Sequence, residues 1–312
     1  MSGREERKNL HVGGQAVIEG VMMRSPKGIA TAVRNPEGEI VIKAEPFVSL
    51  VKRHRIFNIP VVRGAITMVE TLVLAVKALS FSAEQAATEE EKEKEKKKGA
   101  GGKGGLSFLY LAFTVVAAFG LGFLVFFYIP LLLTELLGLE SGFLFNLVDG
   151  LLRLLFMFLY IVLITRWKEM RRVFEYHGAE HKTIFAFEEA GETTVDTASA
   201  QSRFHPRCST SFLIIVVLVS IIVFVFLGKP ESIGDRLLRF SFVPVIAGLS
   251  YEVLKLSARP GIRSRIGFLF WPGLYMQRFT TQEPSSDQIE VAIAALHACL
   301  DDKLLESAAP MN

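Results

Sequence analysis

Residues 209–228 read STSFLIIVVLVSIIVFVFLG, twenty positions without a charged side chain. A helix rises 1.5 Å per residue, so such a run spans the roughly 30 Å hydrocarbon core of a bilayer in about 20 residues. Three more stretches are long and apolar enough to do the same: 107–133, SFLYLAFTVVAAFGLGFLVFFYIPLLL; 141–165, SGFLFNLVDGLLRLLFMFLYIVLIT; and 237–256, LLRFSFVPVIAGLSYEVLKL. Together they predict an α-helical polytopic membrane protein of about four transmembrane helices. Of the 25 Phe in the 312 residues, 15 lie in these runs.

The flanks orient the spans. Lys92, Lys94, Lys96, Lys97, Lys98 and Lys103 precede the first; Arg166, Lys168, Arg171 and Arg172 follow the second; Arg259, Arg263 and Arg265 follow the fourth. The opposite loops carry Glu135 and Glu140, or only Lys229 and Arg236 as basic residues. Because basic loops stay in the cytoplasm, both termini and the middle loop are expected there, in a bacterial inner membrane. The opening residues MSGREERKNLHVGGQ lack an apolar signal core. The net charge of +3 reflects this flank bias, and no nucleic-acid partner is implied. Cys208 and Cys299 are the two cysteines, and a cytosolic setting argues against pairing them.

Outside the spans the chain divides further. Residues 1–60 predict a small β-rich cytoplasmic module, with AVIEGVMMR, IATAVR and EIVIKAEPFV as strands and NPEG as a hairpin turn, so the class overall is α+β. Residues 61–88 space Ile66, Val69, Leu72, Val73, Val76 and Leu79 as one helical stripe. That amphipathic helix would lie on the membrane face or pack on the β module, and Glu70, Lys77 and Glu84 speak against crossing. Residues 89–105 form a charged linker, 106–166 hold the first two spans and 209–257 the next two. The tail, 258–312, begins with an interfacial aromatic stretch, RIGFLFWPGLYMQRFTT, and ends in an amphipathic helix.

The segment 167–208 between the second and third spans is longer than a simple connection requires. It contains YHGAEHKTIFAFEEAG at 176–191. His177 and His181, at i and i+4, share one helix face and can present imidazole nitrogens to a single cation. Glu180 borders that face, giving the H-x-x-E-H order in which two histidines bind zinc and the carboxylate serves as base. Further ligands are expected from SRFHPRCSTSF, where His205 and Cys208 stand three apart at the mouth of the third span. His177, His181, His205 and Cys208 make an accepted zinc set. Four protein ligands would close a structural site, whereas three and a water would suit catalysis.

Several other residues have two readings. Glu188, Glu189, Glu19 and Glu252 are carboxylates that could join the site, Glu19 and Glu252 as outer or substrate-facing groups. A charge within a span is costly unless paired, and Lys255 is one turn from Glu252. Asp149 and Arg153 read as a structural i,i+4 pair in the second span. GGQAVIEGVMMRSP lacks the G-K-[ST] of a phosphate loop and reads as a turn into a strand.

The words GGQAVIEGVMMRSP, VVRGAITMVETL, YHGAEHKTI, FHPRCSTSF, the SYE of the fourth span and FTTQEP resemble the YqhQ-like family of bacterial membrane proteins, from about Val12 to Ala298. That resemblance implies a metal-dependent enzyme without an agreed reaction, its metal positions falling on His177, His181, His205 and Cys208 with Glu180 beside them. One departure is visible, since Ser209 stands where the family word R-C-G-T-S has glycine.

The expectation is a metal-assisted hydrolase, its divalent cation zinc and Glu180 its base, acting on a peptide or lipid-linked group at the cytoplasmic membrane face. The rival expectation is a membrane assembly, insertion or transport accessory protein, in contact with other membrane proteins, whose metal is structural.

Overall fold

The computed structural model describes residues 7, 10, 12–88, 104–189, 191–205, 208–257 and 271–307. Most of the 89–105 linker, the lysines within it, Arg259, Arg263 and Arg265 lie outside those residues.

Four antiparallel strands form a meander: β1 (Gly13–Val17), β2 (Gly20–Arg24), β3 (Gly28–Arg34) and β4 (Ile40–Pro46), in the order β1-β2-β3-β4. The NPEG turn joins β3 to β4, with Gly38 at φ 89° and the Asn35 carboxamide oxygen accepting from the Glu39 amide at 2.7 Å. Alternate side chains leave opposite faces of a strand. Here both faces are covered, so β2 is buried along nearly its whole length.

On one face, Val17, Met22, Ile29 and Val33 pack with Ala78 of α1 (Val62–Ala86). On the other, Val21, Met23, Ala30 and Ala32 enter a core shared with Tyr176, Ala179 and Ile184 of the middle segment and with Ile289, Ala292 and Leu296 near the C-terminus. The N-terminal sheet, the middle segment and the C-terminal helix therefore share one core.

The helical bundle begins with α2 (Gly104–Phe123), which continues through a π-helical turn, Leu124–Tyr128, into α3 (Ile129–Leu136). Pro130 has no N–H to give to the turn before it, which explains the wider turn there. Then come α4 (Gly142–Ile164), α5 (Lys168–Glu189), the short α6 (Val195–Ser199), α7 (Ser209–Leu227), α8 (Ile233–Ser241) and α9 (Val243–Ser257). The chain closes with α10 (Trp271–Thr280), α11 (Ser286–Leu300) and α12 (Asp302–Ser307).

Five helices are long and apolar enough to cross a membrane: Val62–Ala86, Phe113–Leu136, Gly142–Ile164, Thr210–Leu227 and Ile233–Leu256. The expected count of four is thus not exact. The additional helix is α1, whose four charges, Arg63, Glu70, Lys77 and Glu84, are too thinly spread to lower its hydropathy below that of a span. One of them, Glu70, is hydrogen-bonded locally, accepting from Ser49 Oγ at 2.7 Å and from the Leu50 amide at 2.5 Å. The outward faces of the bundle carry Phe113, Val116, Phe119, Leu159, Leu163 and Phe226, an apolar exterior that suits lipid.

Candidate metal centre

α5 presents the centre of the HGAEH word to the interior: from Gly178 to Ile184 every residue is buried. That burial depends on close backbone approach. A Cβ on Gly178 would stand well inside van der Waals contact of the Gln282 carbonyl oxygen, so only glycine lets the 280–284 strap lie against the helix. The Gln282 amide donates to the Phe174 carbonyl at 2.8 Å, and Lys182 Nζ reaches Glu283 Oε1 at 2.6 Å and the Ser199 carbonyl at 2.9 Å.

His177, His181 and Cys208 converge, their ligand atoms all lying within 4.8 Å of one another. The imidazole centroids of the two histidines are 4.4 Å apart, and Cys208 Sγ is 3.4 Å from His177 Nε2. His177 Nδ1 is 2.7 Å from the Thr280 carbonyl oxygen, and His181 Nδ1 is 2.5 Å from the Arg203 carbonyl oxygen. A carbonyl can only accept, so each Nδ1 carries the hydrogen, and in the neutral ring Nε2 is the nitrogen left with a lone pair. Such an outer hydrogen bond fixes the ring and raises its basicity as a ligand.

Cys208 caps α7, its sulfur accepting from the Thr210 amide at 3.4 Å. Two imidazoles and a thiolate suit zinc, whose tetrahedral bonds set ligand atoms roughly 3.3–3.8 Å apart. The group therefore needs only a small contraction to hold such an ion.

His205 is buried beside this group without belonging to it, its ring centroid 5.6 Å from that of His181 and 4.5 Å from that of Phe185. Its backbone is clamped by Gln277, which accepts from the His205 amide at 2.8 Å and donates to its carbonyl at 2.9 Å.

Glu180 is buried against β1. A Cβ on Gly14 would come within 3.2 Å of its Cδ, and the Gly14 amide donates to the carboxylate. Burial raises its pKa to about 7, against the opposing pull of His177 and of the Gly14 amide. Its Oε2 has no hydrogen-bond partner among the described residues.

The remaining carboxylates are engaged elsewhere. Glu19, in the β1–β2 turn at φ 50°, pairs with Arg172, whose Nη2 is 2.6 Å from Oε2, and accepts from the Tyr176 hydroxyl at 3.2 Å. Glu252 pairs with Arg63 of α1 through both carboxylate oxygens, Nε to Oε1 at 2.6 Å, rather than with Lys255. Glu188 and Glu189 are not members of the three-residue group.

Sequence reasoning missed Thr280, Arg203 and Gln277. The first two contribute carbonyls, which every residue type possesses, so no composition signal exists for them. Gln277 left a weak one, an amide in an otherwise aromatic stretch.

Sheet, apolar bundle and His–Cys group define a helical membrane-type protein with a candidate cation site where the bundle meets its extramembrane core. The chain belongs to the family described as "Protein of unknown function (DUF1385)", which matches residues 59–302. It is also 34% identical over 306 residues to "Uncharacterized protein YqhQ" of Bacillus subtilis (strain 168), covering 92% of each chain. No solved structure matches the chain.

Proposed function

We propose that the chain is a zinc-dependent hydrolase of the bacterial cytoplasmic membrane, with His177, His181 and Cys208 as ligands and Glu180 as the base. The observation that carries this reading is Glu180 itself: a buried carboxylate with a pKa of about 7 and an unpartnered oxygen, beside three converging ligand atoms rather than four. Zinc, when bound, polarises a substrate oxygen and brings the pKa of its water to about 7.

The protein's own groups do the rest. The Thr280 and Arg203 carbonyls hold the imidazoles in the ligating tautomer. Glu180, with a pKa near the working pH, can take up a proton and return it to a leaving group. His177 is the one half-buried ligand and so marks the side from which a substrate would approach. A peptide or lipid-linked group held at the bilayer surface fits that approach.

Four crossings, with both termini in the cytoplasm, are part of the same proposal. The support is topological. The sheet before α1 shares its core with α5 and α11, and an odd number of crossings between sheet and α5 would put them on opposite sides. With α3 and α4 each belonging to a crossing, α1 lies along the membrane face. Val69, Leu72, Val73 and Val76 are exposed to lipid in that arrangement, while Ala78 and Ser82 are buried against the sheet. Arg166, Lys168, Arg171 and Arg172 then mark the cytoplasmic side.

A second reading, a structural metal in an assembly or transport accessory protein, is favoured by one observation: His181, Cys208, His205 and Glu180 are each no more than 5% exposed. In it His205 moves in as fourth ligand and leaves no place for water. Glu180→Gln separates the two. In zinc-loaded protein presented with membrane-anchored peptide and ester substrates, the hydrolase reading expects unchanged zinc content and melting temperature with turnover reduced about 100-fold or more. Unchanged behaviour in Glu180→Gln, together with unfolding of His181→Ala, would establish the structural role.

A further inference from the structure

α10 buries one amide side chain completely, that of Gln277, at 0% exposure. The helix around it is fixed on the bundle, with Met276 packed against Ile161 of α4 and Ile214 of α7. An amide withdrawn from water is costly unless both of its groups are paired.

Both are paired here, and on one residue. Gln277 Oε1 accepts from the His205 amide at 2.8 Å, and its Nε2 donates to the His205 carbonyl at 2.9 Å. One partner can only donate and the other only accept, so a single orientation of the side chain satisfies the two. The described residues between α6 and α7 form no helix or strand, and their backbone groups need partners from elsewhere. For His205 those partners are the two ends of one side-chain amide.

The clamp reaches a metal ligand through the next hydrogen bond. The Cys208 amide donates to the His205 carbonyl at 3.2 Å, so His205 and Cys208 are the ends of one turn. The carbonyl that closes this turn is the one that Gln277 holds. Cys208 then caps α7 with its sulfur 3.4 Å from His177 Nε2.

The supports of the other two ligands come from the same place. The Thr280 carbonyl oxygen is 2.7 Å from His177 Nδ1. Arg203, whose carbonyl oxygen is 2.5 Å from His181 Nδ1, donates through Nη1 to the Thr281 carbonyl at 3.0 Å. Both imidazoles are thus supported by main-chain carbonyls, which any residue type supplies. The turn that carries Cys208 is supported by a side chain, and that side chain must offer a donor and an acceptor together.

We propose that Gln277 is a positioning residue of the metal centre: by holding the His205–Cys208 turn it sets the Cys208 sulfur beside the two imidazoles. The role rests on the metal reading above. It concerns ligand placement rather than proton transfer, so it applies to a catalytic and to a structural metal alike.

The test replaces zinc by cobalt(II), which reports a thiolate ligand through a sulfur-to-cobalt charge-transfer band in the near ultraviolet. Full-length protein in detergent is titrated with cobalt, and the wild type should show the band. Gln277→Met keeps the length of the side chain and removes both hydrogen bonds. It should lose about half or more of the band at saturating cobalt and bind the ion about tenfold more weakly, the lower end of what losing a partner outside the ligand shell costs. Gln277→Asn, which keeps the amide but is one methylene too short for both bonds, should change in the same direction and supplies the test if Gln277→Met does not fold. Met276→Ala loosens the packing of the same helix without removing the clamp, so its melting temperature should fall while band and affinity stay at wild-type values. Wild-type band and affinity in the folded Gln277 variant would overturn the positioning role and leave the metal site in place. A spectrum altered as much in Met276→Ala as in Gln277→Met would also overturn it, since packing of α10 alone would then set the sulfur. Wild-type protein that binds no cobalt would instead remove the metal reading, and cobalt bound without the band would remove Cys208 from the shell; either takes the role of Gln277 with it.

Discussion

The His–Cys group and the Asp149–Arg153–Arg239 cluster are both buried and polar, and they differ in how their atoms are satisfied. Around His177 and His181 each Nδ1 is tied to a backbone carbonyl, and what remains free converges: two Nε2 lone pairs and a sulfur. Around Arg153 the charges meet their own counter-charges instead: Asp149 lies 2.8 Å from Arg153 Nη2, and Glu135, 2.9 Å from Arg236 Nη2, is close enough to act on Asp149. A buried group held by backbone on one side and open on the other is prepared for a ligand of the complementary sign. The His–Cys group thus suits a cation, whereas the arginine cluster already holds its counter-ions.

The largest expected effect breaks the first half of that comparison. His181→Ala removes a ligand whose ring is already held, and purified protein should fall from about one zinc per chain to nearly none by elemental analysis. His205→Ala decides the shell. With three protein ligands, zinc content persists and affinity changes by less than about tenfold; with four, affinity falls about 100-fold or more. Equal zinc in His177→Ala, His181→Ala and wild type would remove the metal centre altogether.

The bundle was legible because uninterrupted apolar runs have few alternatives to a membrane. The i,i+4 histidines and Cys208 were legible because few residue types bind metal through a side chain. The partners of Glu252 and Glu19 were not, since Arg63 and Arg172 are brought to them by packing of α1 on α9 and of the β1–β2 turn on α5. Nor was the wider charge cluster around Arg153. Asp149 and Arg153 read as a self-sufficient pair until α8 adds Arg239, far along the chain. For α1 the stripe was visible, but which face met the sheet was settled by Ala78 and Ser82, small residues with no strong preference of their own.

A smaller effect is expected from Gly178→Ala, which tests whether the strap at 280–284 aligns the histidines. Its Cβ would collide with the Gln282 carbonyl oxygen, and backbone rather than a flexible side chain would have to shift. Overpacking of this kind costs about 1–3 kcal/mol. The melting temperature should therefore drop, and zinc affinity should fall as the Thr280 carbonyl moves from His177. A drop in melting temperature with unchanged zinc affinity would mean that the strap supports the fold without aligning the ligand.

The smallest effect is the sharpest for the idea of backbone anchoring. Thr280→Ala deletes a hydroxyl that is 3.3 Å from Thr210 Oγ1 and 3.4 Å from the Met276 carbonyl, but it leaves the carbonyl that accepts from His177 Nδ1. If the main chain holds the imidazole, zinc affinity should stay within about threefold of wild type, since the lost contacts are long and their net worth is about 1 kcal/mol or less. A loss as large as that of Gly178→Ala would transfer the anchoring role to the threonine side chain. The difference between the two sites would then rest on side-chain networks, and the FTT word would owe its place beside HGAEH to its hydroxyls rather than to the path of its backbone.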